Sequence, residues 1–227
     1  MRRILIPLIF GLAGAVVLIW LGVWQVQRLA WKEGVLAEIE ARIAAEPVAL
    51  PARPDPVADR YLPVRVTGTP GSEVLRVLVS RKQAGAGYRL VTALRTADRA
   101  VLVDLGFIKV DAPLPEIPPG PVTVIGNLHW PDDRNSSTPD NDVIGNIWFA
   151  RDLDQMADRL GTEPLLVVAR DWSETDLGAT PLPVDTSAIP NDHLNYAITW
   201  FSLAAIWLAM TGYFLWRTTR KPKGDVT

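Results

Sequence analysis

Cysteine is absent from the 227 residues, so the chain alone can build no disulfide, zinc-thiolate site, iron–sulfur cluster or catalytic thiol. Other soft ligands are scarce: three methionines and two histidines make a poor copper carrier, which draws on thiolate and thioether sulfur. Basic excess is also lacking. A formal net charge of -2 gives no support to nucleic-acid binding, which shows as a strongly basic domain or stripe. Internal repeats of 20 to 50 residues and low-complexity tracts are missing as well. What is present is 48% hydrophobic residues, outside the disordered classes, and nineteen prolines that fall mostly between residues 47 and 190.

Two stretches carry no formal charge, Ile4 to Val26 and the 23 residues from Leu194 to Trp216. At about 1.5 Å of rise per residue, each is long enough to cross a hydrocarbon core of about 30 Å. The first competes with a cleavable signal peptide. Signal peptides have an apolar region of about 7 to 15 residues and a small-residue cleavage site. This run is longer and ends Trp20-Leu21-Gly22-Val23-Trp24-Gln25 with no Ala-x-Ala, which reads as a permanent anchor. Pro7 is expected in the first helical turn, and Trp20 and Trp24 suit an interfacial aromatic belt. Arg2 and Arg3 precede the first run, and Arg217, Arg220, Lys221 and Lys223 follow the second. No Lys or Arg occurs between Asp171 and Trp216. Both termini are expected to be cytoplasmic and the middle of the chain outside, with Arg28 and Lys32 pulling the other way. No basic, serine-rich transit segment precedes the first run, which favours a bacterial inner (plasma) membrane over a mitochondrial one.

Between the runs, residues 28 to 46 carry strong helix formers with Val35, Ile39 and Ile43 four apart, predicting an amphipathic helix continuing from the anchor. Pro47, Pro51, Pro54 and Pro56 stop it. From Tyr61 the period becomes two, with strands predicted at 62–67, 74–79, 88–94, 101–110 and 122–128. Turn signals lie at Gly85-Ala86-Gly87, Thr96-Ala97-Asp98-Arg99 and Pro118-Pro119-Gly120-Pro121. A polar loop (132–142), a short helix (152–160), a last strand (164–169) and a proline-rich, irregular return (176–190) follow. The expected class is an α+β membrane protein: two transmembrane helices flank an extramembrane antiparallel β-sheet or small β-barrel with short helices. Its divisions are 1–27 (cytoplasmic N-terminus and first span), 28–60 (helix and proline-rich connection), 61–190 (periplasmic β-rich domain), 191–216 (second span) and 217–227 (cytoplasmic tail).

Two antiparallel spans bring the end of the first level with the start of the second, putting the outer boundary near Trp24 and near Ala197. His193 then stands about 6 Å outside it. Trp24, Gln27, Arg28 and Trp31 form an i, i+3, i+4, i+7 stripe, and His193, Tyr196, Ala197, Trp200, Ala204 and Trp207 form another. If the stripes face each other, the pocket is aromatic and closed by one imidazole and one guanidinium. Such a pocket suits a porphyrin, with rings on the macrocycle, imidazole on the iron and arginine on propionates. An ordinary interfacial aromatic belt with no cofactor explains the same residues.

Lesser signals have plainer readings. Gln83-Ala84-Gly85-Ala86-Gly87-Tyr88 lacks the third glycine and following helix of a phosphate loop, and reads as a hairpin turn. Asp132, Asp133, Asp140 and Asp142 miss the calcium-loop spacing and read as a solvated loop. His129 is a second imidazole at a strand end, where a structural role is commoner than ligation. Ser136, Ser137 and Ser173 lack a Gly-x-Ser-x-Gly elbow, which weakens a hydrolase reading.

The chain resembles the surfeit locus protein 1 family of cytochrome c oxidase assembly factors. Leu21-Gly22-Val23-Trp24-Gln25-Val26-Gln27-Arg28-Leu29-Ala30-Trp31-Lys32 is similar to that family's Gly-x-Trp-Gln-x-x-Arg-x-x-Trp-Lys signature. Asn191-Asp192-His193-Leu194-Asn195-Tyr196-Ala197-Ile198-Thr199-Trp200-Phe201 is similar to its Asn-x-His-x-x-Tyr-Ala-x-Thr-Trp-Phe signature. Weaker matches lie at Gly87-Tyr88-Arg89-Leu90-Val91-Thr92 and at Asn146 to Leu153. The resemblance implies an inner-membrane protein that assists maturation of haem-copper oxidases, bacterial members holding haem a for the catalytic subunit. It implies His193 as the metal ligand. With the stripes it gives Arg28 as a propionate partner and Trp24, Trp31, Tyr196 and Trp200 as packing walls. Expected partners are the oxidase catalytic subunit, membrane lipid and, as a further candidate, the haem a synthesis enzyme. The chain departs from the family at Val103-Asp104-Leu105-Gly106-Phe107, where many members show an Asn-Arg-Gly-Trp type sequence. A haem-free membrane scaffold and a membrane-anchored hydrolase are the competing classes.

Overall fold

The computed structural model describes residues 2–81, 84–117, 119–172, 179–187 and 189–220. Gln83, Pro118, Ser173, Asp176, Lys221 and Lys223 lie outside these described residues. In chain order the elements are α1 (Arg2–Ala44), β1 (Val48–Ala49), β2 (Pro63–Arg81), β3 (Gly85–Arg95), β4 (Ala100–Lys109), β5 (Val122–His129), β6 (Ile147–Trp148), α2 (Leu153–Leu160), β7 (Glu163–Trp172) and α3 (His193–Thr219). They fall into two compact units, one helical (1–38 with 187–227) and one built on the sheet (39–186).

In the helical unit α1 and α3 are both long and apolar enough to cross a membrane. The anchor and the helix predicted after it are one uninterrupted 43-residue α1. Pro7 lies inside this helix rather than in its first turn, so the bond its N–H would give to the preceding turn is missing there. The two helices meet along small residues. Gly11, Ala15, Gly22 and Gln25 are buried on α1, alternately four and three apart when Leu18 is included, and Ala197 and Ala204 are buried on α3. Without a hydrophobic driving force between helices in lipid, association rests on close packing, which small residues permit. A Cβ built on Gly14 would lie 2.6 Å from the Trp207 ring, and one on Gly22 would lie 2.7 Å from the Phe201 ring. The Trp207 indole N–H donates to the Gly11 carbonyl at 2.8 Å. Large apolar side chains such as Ile6, Phe10, Val16, Ile198, Ile206 and Met210 point outward, the arrangement a lipid solvent requires.

The β unit is organised by β2, whose 19 residues merge two predicted strands around an irregularity between Pro70 and Val74. Pro63–Gly68 pairs antiparallel with β5, and the remainder pairs antiparallel with β3. Thr96 to Arg99 closes the β3–β4 hairpin, with Thr96 N–H on the Arg99 carbonyl at 2.8 Å. β4 then lies parallel to β7, and β7 antiparallel to β5, so the pairings run β2–β3–β4–β7–β5 and return to β2. The sheet is therefore mixed rather than antiparallel throughout. The long path from β4 through β5, the polar loop and α2 lets β7 arrive beside β4 in the same direction. β1 and β6 add short parallel pairs to β2. Gly85, Ala86 and Gly87, expected as a turn, already belong to β3 beyond the hairpin that joins it to β2. Gly87 is required there, since a Cβ would lie 2.1 Å from the Ile108 carbonyl oxygen.

Both faces of this sheet are covered, which is why β4 and β7 read as continuous apolar runs. Val101, Val103, Leu165, Val167 and Ala169 enter one core with Val64, Leu94, Val124 and Leu128. Leu102, Leu166 and Val168 enter the other with Leu75, Val77, Trp148, Met156 and Leu160. Trp148 is fully buried, its indole N–H on Asn146 Oδ1 at 3.2 Å. At the departure from the family pattern, β4 carries an extra residue against β3, and Leu105 turns into the first core at 1% exposure. The return after residue 178, expected as irregular, is tied to β4. Phe107 N–H donates to the Thr180 carbonyl at 2.7 Å and Thr180 N–H to the Phe107 carbonyl at 2.9 Å. Gly106 makes this approach possible at φ 113°, with the Thr180 oxygen 2.2 Å from where a Cβ would sit.

Candidate functional site

His193 is the first residue of α3. Its ring is half-buried, and its Nδ1 lies 2.7 Å from Oε1 of Gln25, itself only 8% exposed on α1. An amide oxygen can only accept, so Nδ1 carries a proton in this arrangement, and Nε2 is the ring nitrogen not engaged by Gln25. Ala197 and the half-buried Trp200 follow His193 along the same seam of α3.

The level assigned to the two helix ends agrees with the structure, but the face does not. Gly11 packs on Thr211, Gly14 on Trp207 and Gly22 on Phe201, a steady antiparallel register that continues to bring Trp24 level with the residues about Ala197. The α1 face turned to α3 is, however, Gly11-Ala15-Leu18-Gly22-Gln25, not Trp24-Gln27-Arg28-Trp31. Trp24 is 46%, Trp31 52% and Tyr196 55% exposed. Arg28 is also exposed and lies over the Trp31 ring, 3.8 Å from its centroid, a cation–π pair beside the seam. The reason is steric: bulky rings hold backbones apart, so the glycines take the interface and the tryptophans turn aside. Gln25 is the partner that the aromatic pattern concealed. Its signal was present as the polar end of a small-residue stripe.

The residues fit an iron porphyrin at one point at least. A haem ligand histidine needs one nitrogen turned to the iron and the other held by an acceptor, and Gln25 provides that acceptor for His193.

The β unit holds a separate charged cluster. Asp104 is fully buried with Arg89 Nε 3.0 Å and Arg151 Nη1 3.8 Å from its Oδ2. The Arg89 pair is close but not aligned as a hydrogen bond. Asp104 Oδ1 accepts from Gly106 N–H at 3.0 Å. Burial pushes the Asp104 carboxyl up against the pull of Arg89 and Arg151. Arg151 holds Asp133 through Nε at 2.7 Å and Nη2 at 2.9 Å. At Asp133 burial works upward, yet the Arg151 bonds prevail and hold the carboxyl below its ordinary value. His129 stacks on Tyr61 at 5.8 Å between centroids, and burial followed by repulsion from Arg151 and Arg60 lowers it to about 4. Asp140 pairs with Arg134, and Asp142 accepts from Gly145 N–H. Asp133, Asp140 and Asp142 of the polar loop thus serve arginines and backbone. Among the described residues no three His, Asp or Glu side chains converge where a metal ion could sit.

A family model described as the SURF1 family matches residues 12–205, which takes in both helix-end signatures and the whole sheet. The chain belongs to the SURF1 family. Surfeit locus protein 1 of Rattus norvegicus is 34% identical over 209 residues, covering 82% of this chain and 68% of that protein. The Homo sapiens protein of the same name is 34% identical over 210 residues, with 82% and 69% covered. A SURF1-like protein of Monosiga brevicollis is 34% identical over 219 residues, with 86% and 82% covered. The SURF1 match begins inside the first apolar run and ends inside α3, so Gln25 and His193 both lie within it.

Proposed function

We propose that this protein assists assembly of an aa3-type haem-copper oxidase by holding haem a at the outer membrane interface for the catalytic subunit. SURF1 membership supports the assembly role. The observation that carries the haem reading is His193 with Nδ1 engaged by Gln25 and Nε2 open. His193 would ligate the iron, and the exposed Arg28 would meet propionate oxygens. Trp200 would pack beside the ring from the seam, with Trp24, Trp31 and Tyr196 turned outward at the rim. The bound group supplies the redox-active iron centre that the oxidase needs. This chain contributes one strong ligand, orientation and partial exclusion of water, and a single strong ligand is compatible with release. The role is that of a carrier, not an enzyme.

In this reading α1 and α3 span a bacterial inner membrane with both chain ends cytoplasmic and the β unit periplasmic, following the basic residues around the runs. The β unit docks the catalytic subunit, and the haem a synthesis enzyme is the candidate donor. The exposure of Trp24, Trp31 and Tyr196 also favours a second reading, a haem-free scaffold whose outward rings pack on an oxidase helix.

The full chain purified from cells that make haem a separates the two. Near-stoichiometric haem a in the absorption spectrum, lost in His193→Ala while membrane insertion persists, is the expected result. Haem-free protein from cells with an intact oxidase pathway defeats the carrier reading and leaves the scaffold.

A further inference from the structure

We propose that Gln25 is the positioning residue of the His193 site: its amide oxygen selects the Nδ1–H tautomer, fixes the ring and sets the donor strength of Nε2. The haem part of this inference rests on the carrier reading, and the tautomer part does not.

Three features of the chain converge on it. Gln25 is a long polar side chain on an apolar helix, 8% exposed, where an amide without a partner is costly. Its Oε1 meets the histidine at 2.7 Å, a short contact for a neutral pair. Gly22, one turn earlier, takes the Phe201 ring at a distance no side chain would allow, which brings the helices close enough for the contact. An acceptor on Nδ1–H raises the basicity of the other nitrogen and stops the ring from rotating. An amide does this more weakly than a carboxylate. It also adds no charge to the buried seam between the helices, where an unpaired charge is expensive. A neutral acceptor therefore suits a ligand that must bind and later let go, whereas a carboxylate there would strengthen retention.

The test uses the full chain in lipid nanodiscs, first without haem. The sequence has two histidines, so ¹⁵N-histidine labelling gives two ring systems, and His193→Ala assigns them. The wild-type His193 ring is expected with Nδ1 protonated, and Gln25→Leu is expected to move it towards Nε2 protonation. Ferric haem a is then titrated. Gln25→Leu is expected to bind about 10- to 100-fold more weakly, the usual scale for removing a metal ligand's outer partner. Gln25→Glu, which restores an acceptor, is expected to bind at least as tightly as wild type and release more slowly. An unchanged tautomer in Gln25→Leu overturns the inference, as does weaker binding in both variants, which would mark a merely structural helix contact. If His193→Ala loses haem while Gln25→Leu behaves as wild type in both measurements, the carrier reading stands and the inference falls. If His193→Ala keeps its haem, the carrier site is wrong, and the labelled ring still decides whether Gln25 sets the tautomer.

Discussion

Asp104→Ala should be among the most damaging single substitutions in the β unit. The carboxylate is wholly buried, and the Arg89 and Arg151 side chains beside it are only 12% and 11% exposed. Removal does not strand both cations equally. Arg151 keeps Asp133 at 2.7 Å, whereas Arg89 is left with a backbone carbonyl, that of Leu182. One buried guanidinium without a carboxylate is the case in which breaking an ion pair costs about 3–5 kcal/mol. For a unit of this size each kcal/mol lowers the midpoint by about 2–4 °C, giving a drop of roughly 6–20 °C. Removing both partners changes the sign of the reasoning. Arg89→Met with Asp104→Leu leaves no orphaned charge, and replacing a buried pair by apolar groups is often neutral. The double variant should recover most of the loss. Thermal melts of the full chain in detergent, followed by circular dichroism in the β-sheet region, measure all three proteins. If Asp104→Ala costs under about 1 kcal/mol, or the double variant melts no higher than the single one, then the pair is not a closed electrostatic unit.

Two further outcomes follow from the same unit. His129 is held near 4 in the fold against an ordinary 6.5, so between these values the unfolded chain takes up a proton that the fold refuses. Stability should therefore fall as pH drops from about 6.5 to about 4, by roughly 3 kcal/mol from this residue, and be unaffected by it above pH 7. Urea unfolding at pH 7 and pH 4.5 should show a smaller loss for His129→Asn than for wild type, and equal losses would remove His129 as the cause. Gly106→Ala should cost about 2–4 kcal/mol, from a strained φ and loss of the paired Phe107–Thr180 hydrogen bonds. Limited proteolysis should then cut faster within 179–187, and an unchanged cutting rate would show that this pairing does not hold the return segment.

Much of the fold was legible because its periods are strong. The two charge-free runs are both helical, the first helix continues past Arg28 to Ala44, and the strand at 101–110 is β4. The parallel β4–β7 pairing was not legible, since strand direction depends on where a long connection returns and not on any local pattern. Nor was the joining of 62–67 with 74–79. There Thr92 Oγ1 donates to the Gly71 and Glu73 carbonyls and carries the strand across the irregularity. The weaker family matches gain plain structural reasons. Asn146 adopts φ 55° and serves Val74, Arg76 and Trp148, while Asp152 binds Arg134 and Asn141. At the candidate site, that His193 would stand level with the Trp24 region of α1 was legible from residue counts. Its partner was not, because an aromatic stripe at helical spacing attracts attention that a glycine stripe ending in glutamine does not, although close backbone packing favours the second.

The contact between His193 and Gln25 joins residues 168 positions apart, one near each end of the chain. During synthesis Gln25 emerges early, and its partner is made only after the entire sheet. A nascent or truncated chain that lacks α3 therefore has an anchor and a β unit but no ring for the amide to hold. The His193–Gln25 pair is thus a property of the finished protein alone, complete only once the sheet between its two residues has been made.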